Sequence, residues 1–310
     1  MIKFSQHNKT WFTISGLLFA FSIVMIIISI AKYNFHLSVE FTGGTKIEYK
    51  VPDNLDKNAV LGVLRQEEAD IQKENPKISL GNIVLQKSGQ DELIVKMRQI
   101  DDDTKTKVSA ALTKYNSQIK ELAATDISPT VGSRLITTML IALLVVLAII
   151  ILFLAYAFRN IPRSLNPFKF GAAAIFALIH DVVITTGLFC LLGIIMRVEI
   201  DPLFLTALLT ILGYSVQDTI VVFDRFRENL RFQRRDQTLS DLADISLNQT
   251  LARSINTSLT TFITVTALFL LGGASIRYFM LALMFGIIVG TYSSIFIASP
   301  ILVAWQKQRI

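Results

Sequence analysis

Six stretches of this chain stay apolar for about the 20 residues a helix needs to cross a hydrocarbon core. They run over residues 11–31, 136–158, 168–196, 202–223, 255–273 and 279–305. The first contains Ser29 and Ala31 at the spacing of a signal-peptidase site. It exceeds the roughly 7–15 apolar residues of a signal core, so it reads as a retained helix rather than a cleaved leader.

The polar interval after the first run has a different rhythm. Residues 39–49 read as a strand, with Val39, Phe41, Ile47 and Tyr49 on odd positions. Residues 55–72 read as a helix. Residues 83–86 and 93–97 read as short strands split by a turn at Ser88-Gly89-Gln90-Asp91. Val108, Ala111, Leu112, Tyr115 and Ile119 recur on one helical face, behind three acids at Asp101–Asp103 that suit a helix N-terminus. Residues 120–127 supply a last strand. The order β-α-β-β-α-β predicts a small α+β ferredoxin-like domain. The expected organisation is therefore a first helix in 1–31, the α+β domain in 32–133, and five further helices in 134–310.

Charge then sets the topology. Lys3 and Lys9 precede the first run, while Arg159, Arg163 and Lys169 surround the second connection between helices. Arg225, Arg227, Arg231, Arg234 and Arg235 fill the connection between the fourth and fifth runs, and Lys307 and Arg309 follow the sixth. Positive residues concentrate on the cytoplasmic side, so both termini are expected there, with the α+β domain extracytoplasmic. Charge within that domain is nearly balanced, and the formal excess of +6 lies mostly at helix ends. A nucleic-acid binder would instead gather it on a folded surface. The mean hydropathy of +0.52 and a charged fraction of 17% agree with a membrane protein. Soluble domains average about 25% charged.

The chemistry on offer is narrow. The single Cys190 cannot form an intrachain disulfide, and no Cys/His spacing suits a metal. There is no phosphate-binding glycine loop and no hydrolase nucleophile elbow. No cofactor and no catalytic site are expected. The informative residues are ionisable groups inside apolar runs, each costing about 2.5–3.5 kcal/mol to insert at a helix centre. Asp218 lies in the fourth run beside Ser215, Gln217 and Thr219. It reads either as an interfacial acid reaching water or as part of a hydrated, helix-packed face. Arg253 stands at the start of the fifth run, either as a terminal cation reaching the interface or as the ion-pair partner of Asp218. The fifth run is rich in hydroxyls, including Thr257, that either tighten helix packing or line a proton path. His180 and Asp181, in the middle of the third run, are either a structural hydrogen-bonded pair or a relay. These residues are the candidate proton pathway: Asp218, Arg253, Gln217 and Thr257, with His180 and Asp181 as secondary members.

Four segments carry a family resemblance. Glu40-Phe41-Thr42-Gly43-Gly44-Thr45 is similar to a DFxGGT strand, with Glu40 for Asp. Ser128-Pro129-Thr130-Val131-Gly132 is similar to a VGPxVG segment, with Ser128 for Gly. The stretch from Gly213 to Asn229 resembles GYSxNDTVVxFDRIREN, with Gln217 for Asn and Phe226 for Ile. Arg253 to Thr261 resembles RTxxTSxTT. Together they identify the chain as resembling the SecF family of bacterial protein-export subunits, over essentially its whole length. The helix–domain–five-helix plan resembles one half of a resistance-nodulation-division transporter, which implies a second six-helix partner.

The resemblance implies several expectations. They are pairing with SecD, cooperation with the SecYEG channel and its small subunits in the inner membrane, contact with the exported polypeptide, and use of the proton motive force through Asp218 and Arg253. It also implies motif roles for Gly43 and Gly44, while Asp224, Arg225, Arg227 and Glu228 would fix a cytoplasmic loop. Two alternatives share the fold: half of a proton-coupled small-molecule or lipid exporter, and a non-conducting accessory of the translocon.

Overall fold

The computed structural model describes residues 2–88, 91–159, 166–234 and 236–306. Gly89 and Gln90 of the expected turn lie outside the described residues, as do Arg163, Arg235, Lys307 and Arg309. The chain divides into two compact units.

The first unit is a helix bundle. Its helices are α1 (Asn8–Tyr33), the main part of α5 (Pro129–Ala157), α6 (Pro167–Met196), α7 (Pro202–Leu230), α8 (Leu239–Leu271) and α9 (Ala274–Ser293). From α9 the chain continues through a π-helical turn (Ser294–Ala298) into α10 (Ser299–Gln306). Six segments are long and apolar enough to cross a membrane, the last running from Ser275 to Gln306. Asn166 and Asp201 cap α6 and α7, each accepting from a backbone N–H two or three residues on, and each is followed by proline in the first turn. Proline lacks only an N–H that the helix start leaves unpaired anyway.

The fifth run differs from expectation. Its helix begins at Leu239, so Arg253 sits about 21 Å inside α8 at 1.5 Å per residue rather than at its start. The residues from Leu239 onward hold that extra length because Leu239, Leu242, Ala243 and Leu247 join the aromatic core of Phe158, Phe170, Phe223 and Phe226.

Small residues decide how closely the helices approach. Along α1, Ser15, Ser22 and Ser29 are buried one above another. Gly187 of α6 meets this seam: a Cβ there would lie 2.3 Å from Ser22 Cβ and 2.5 Å from its Cα. Gly187→Leu should therefore push α1 off α6. A Ser29→Cys variant, placed opposite Cys190, should cross-link on oxidation and lose most of that cross-link when Gly187→Leu is added. An unchanged yield would show that the seam tolerates the added bulk.

The second unit comprises residues 37–140 together with 272–277. It holds a single helical turn α2 (Val39–Thr42), β1 (Gly44–Lys50), α3 (Lys57–Glu74), β2 (Val84–Ser88), β3 (Glu92–Met97), α4 (Asp102–Tyr115) and β4 (Lys120–Ile127). The strands form one antiparallel sheet in the order β2-β3-β1-β4. Ile47, Tyr49, Val95 and Met97 pack against Val60, Leu64, Val108 and Leu112 from the two helices. The expected strand over 39–49 starts only at Gly44. Gly43, at φ 80°, breaks the extended path, and Phe41 is buried from a helical turn instead. The expected helical face likewise overshoots. α4 ends at Tyr115, whose side chain is exposed, and Ile119 reaches the core from the following turn.

Several carboxylates in this unit are held by cations. Burial pushes Glu40 up, yet the Lys96 ammonium at 3.3 Å and the hydrogen bonds around it outweigh that and hold it below its ordinary 4.5. Burial acts the same way on Glu68 and is overcome by Arg65, Ser79 and the Leu80 N–H. Burial also acts on Asp126 and is overcome by Lys105 and Thr45. All three bind protons less readily folded than unfolded. Their contribution is complete above about pH 4.5 and is lost as pH falls through the depressed values. The urea midpoint of this unit, followed by a fluorophore at exposed position 115, should fall between about pH 6 and about pH 3.5. A flat midpoint would contradict the assignment.

Candidate functional site

Asp181 on α6 and Asp218 on α7 stand inside the bundle, and consecutive serines reach them. Asp181 on α6 is fully buried, with 0% exposure. Its Oδ1 faces His180 Nδ1 at 3.0 Å. Its Oδ2 accepts from Ser215 Oγ of α7 at 2.5 Å and from Ser293 Oγ of α9 at 2.7 Å. Asp218 on α7 accepts from the hydroxyl of Ser294, the first residue of the π turn. The two serines also lie near carbonyls of their own helix, Ser293 Oγ 3.1 Å from Gly290 O and Ser294 Oγ 3.0 Å from Thr291 O.

Local sequence explains this arrangement. Gly286 and Gly290 let α9 approach α7: a Cβ on Gly286 would lie 2.2 Å from Ile211, and one on Gly290 would lie 3.1 Å from Ser215 Cβ. Pro300 cannot donate to a carbonyl four residues back. The helix widens just before it, and the Ser299 hydroxyl donates to Ser294 O at 3.1 Å. A widened turn inside a helix shifts the faces of the residues entering it. Here Ser293 meets one acid and Ser294 the other. The glycine pair is a recognisable G-x-x-x-G spacing, and Pro300 is a recognisable helix disturbance. Ser293 and Ser294 are the members of the candidate site that sequence reasoning missed, and those two signals are what point to them.

The other candidates are placed differently. Arg253, Asn256, Thr257 and Thr260 are exposed along α8, and Gln217 is exposed on α7. Arg253 and Asp218 form no ion pair among the described residues, so the expected contact between them is absent within this chain. The levels nevertheless agree. Arg225 Nε donates to Gln249 Oε1 at 2.7 Å. Carried seven residues along each antiparallel helix, that register faces Asp218 with Asn256, within one turn of Arg253. The hydroxyls of Thr260 and Thr261 donate to backbone carbonyls one turn back, two of those bonds ending on Thr257 O.

The charged end of the long motif makes a network. Arg227 pairs with Asp224 at 2.5 Å and donates to Ala157 O at 3.1 Å. Arg225 pairs with Glu228 at 2.5 Å. Asn229 Nδ2 donates to Ser246 Oγ and Gln249 Oε1 at 2.8 and 2.9 Å. These bonds tie α7 to α5 and to the first half of α8.

In the α/β unit, Gly43 and Gly44 mark a close backbone approach. A Cβ on Gly43 would lie 2.7 Å from Pro129 N, and one on Gly44 would lie 2.5 Å from Met97 O. Gly132, from the second motif, would place a Cβ 2.2 Å from Phe41 O. Two motifs separated in sequence are thus packed backbone to backbone.

Residues 107–308 match the family model described as "Protein export membrane protein SecD/SecF, C-terminal". The protein translocase subunit SecF of Thermobaculum terrenum is 38% identical over 297 residues, 93% of this chain and 90% of that protein. Its counterpart in Synechocystis is 34% identical over 310 residues, covering 99% of this chain and 94% of the relative. Among solved structures, the crystal structure of SecDF, a translocon-associated membrane protein from Thermus thermophilus, matches with a TM-score of 0.79 at 33% identity. That match covers 99% of this chain, which spans 39% of the SecDF chain.

Proposed function

The chain belongs to the SecF family of protein translocase subunits, and from that footing we propose that it uses the proton motive force, with SecD, to drive or complete export through SecYEG. The observation that carries this reading is Asp218, an acid within a membrane span whose described partner is a neutral hydroxyl. A carboxylate so placed is costly and changes charge when it takes a proton.

The polar face of α8 supports a paired assembly. Arg253, Asn256, Thr257 and Thr260 are exposed on a helix apolar enough to span. Facing lipid, an arginine there would be strongly disfavoured, whereas a partner helix bearing a carboxylate would satisfy it. The relative named as a SecDF translocase subunit supports taking SecD as that partner. Asp218, Gln217, Arg253 and Thr257 then line the path, and the partner supplies the counter-charge that Arg253 does not meet among the described residues.

The β-α-β-β-α-β unit, with sheet order β2-β3-β1-β4, reads as a ferredoxin-like domain. It occupies 32–133 on the outer face of the inner membrane, between helix 1–31 and the helices of 134–310. Both termini then lie in the cytoplasm. There the network of Asp224, Arg225, Arg227 and Glu228 stiffens the connection between α7 and α8, while the outer domain acts on the exported polypeptide. The test is completion of export into inverted vesicles carrying the whole complex, with and without a proton gradient, in wild type and Asp218→Asn.

A further inference from the structure

Asp181 has more hydrogen bonds than Asp218 and deeper burial, and the pathway above does not use it. Two hydroxyls and a ring nitrogen converge on its two oxygens; with Asp181 read as a carboxylate it accepts from all three, and His180 Nδ1 is then the donor. The other ring nitrogen, Nε2, is buried and has no hydrogen-bond partner among the described residues. A lone pair there loses less than an unpaired N–H would. Nε2 is therefore the vacant place for a proton.

The groups facing this pair are few. From α1 comes Phe19, its ring parallel to the imidazole at 6.1 Å. From α9 comes Tyr292, with its ring centroid 6.0 Å away. Its buried hydroxyl has no described partner and lies within the field of Asp181. From α7 comes Ser215, with Asp218 about one turn further on. The π turn and α10 bring no acid or base. Among the described residues no lysine or arginine pairs with Asp181, so with His180 neutral the pair carries one uncompensated negative charge.

We propose that His180 and Asp181 form a second proton-holding site in the bundle, coupled to Asp218 through the adjacent hydroxyls of Ser293 and Ser294. The coupling rests on the reading that Asp218 takes a proton. Each serine hydroxyl has one hydrogen and two acceptors in reach, a carboxylate or its own helix carbonyl. When Asp218 is protonated, Ser294 loses its anionic acceptor and its hydrogen turns to Thr291 O. Ser293 is the preceding residue, the last of α9, at the entrance to the widened turn. Drawn toward Gly290 O, it withdraws one donor from Asp181. The pair then gains by accepting a proton from the aqueous phase at Nε2, which places an imidazolium against the carboxylate with no net charge. Occupancy of one site thus raises occupancy of the other.

The test is the dependence of gradient-driven export on the pH of the proton-entry side, in vesicles holding the full complex. Two coupled protons give a profile steeper than one-site titration, with an apparent slope approaching about 2. Asp181→Asn and His180→Gln should retain export with the slope reduced to about 1. Ser294→Ala should do the same, and Ser294→Thr, which keeps a hydroxyl, should restore the wild-type slope. Asp218→Asn should lose gradient dependence altogether. If that variant fails but the Asp181, His180 and Ser294 variants keep the wild-type slope, the second site is refuted and the function stands. If Asp218→Asn exports like wild type, the proton-driven function falls, and the coupling falls with it. Should Asp181→Asn not assemble, the Ser294→Ala and Ser294→Thr pair decides, because both preserve every charge in the bundle.

Discussion

Asp218→Asn should abolish gradient-driven completion of export while leaving the complex assembled. Asparagine has nearly the same shape, and its carbonyl oxygen still accepts from Ser294, so the packing of α7 against the π turn survives. What it lacks is a group that can be charged in one state and neutral in another. One charge crossing a potential of 100 mV is worth about 2.3 kcal/mol. Losing that bias from a two-state cycle changes its equilibrium about fiftyfold at about 1.4 kcal/mol per decade. The measurement is the completed fraction of a stalled precursor in inverted vesicles after the ATP-driven stage has been stopped. Loss of the gradient-driven increment alone marks Asp218 as the proton acceptor. Equal completion in wild type and variant would reduce the chain to a structural accessory of the translocon.

The second large effect is expected in the other unit, at Gly132→Ala. The added methyl would fall 2.2 Å from Phe41 O and 2.6 Å from Phe41 C. Both are backbone atoms, so no rotamer relieves the clash, and the chain entering α5 must separate from the α2–β1 corner. Gly43 closes the same contact from the other side, where its left-handed φ of 80° adds strain for any residue with a side chain. Overpacking of this kind costs about 1–3 kcal/mol, and the backbone contact places Gly132 at the upper end. Amide exchange of β1 and β4 in the full chain, in nanodiscs, should accelerate about a hundredfold at about 3 kcal/mol. Gly62→Ala serves as control. A Cβ there meets nothing within 4 Å on α3, and alanine is favoured over glycine in a helix by about 0.5–1 kcal/mol. If the two variants behave alike, the motif glycines are not needed for close approach.

Much of this was legible from residues alone, and the reasons are specific. Helices are long and apolar where the sequence is, so the six spans follow from composition. The α/β order follows from hydrophobic period, and β4 occupies the expected 120–127. Ambiguity arose where two forces oppose one another. Val39 and Phe41 alternate like a strand, but Gly43 turns the backbone before pairing begins. The first half of α8 is polar enough to read as a loop, yet it buries Leu239, Leu242 and Leu247 against Phe158, just after α5, and aromatic residues of α6 and α7. Arg253 is exposed on α8, and among the described residues it forms no ion pair with Asp218, a contact that residue type and position alone leave open.

The sequence by itself determined that this is a six-span membrane protein of the SecF family with an acid in its fourth span. Those properties are sums over residues or contiguous motifs, and they survive ignorance of contacts. Only the tertiary structure decided which hydroxyl meets which carboxylate. Ser293 reaches Asp181 across 112 residues and Ser294 reaches Asp218 across 76. Whether neighbouring serines serve one acid or two depends on how closely α9 approaches α7 at Gly286 and Gly290, and on the rotation introduced by one π turn. A hydrogen bond is made or lost within a few tenths of an ångström, a tolerance far finer than any hydrophobic pattern conveys.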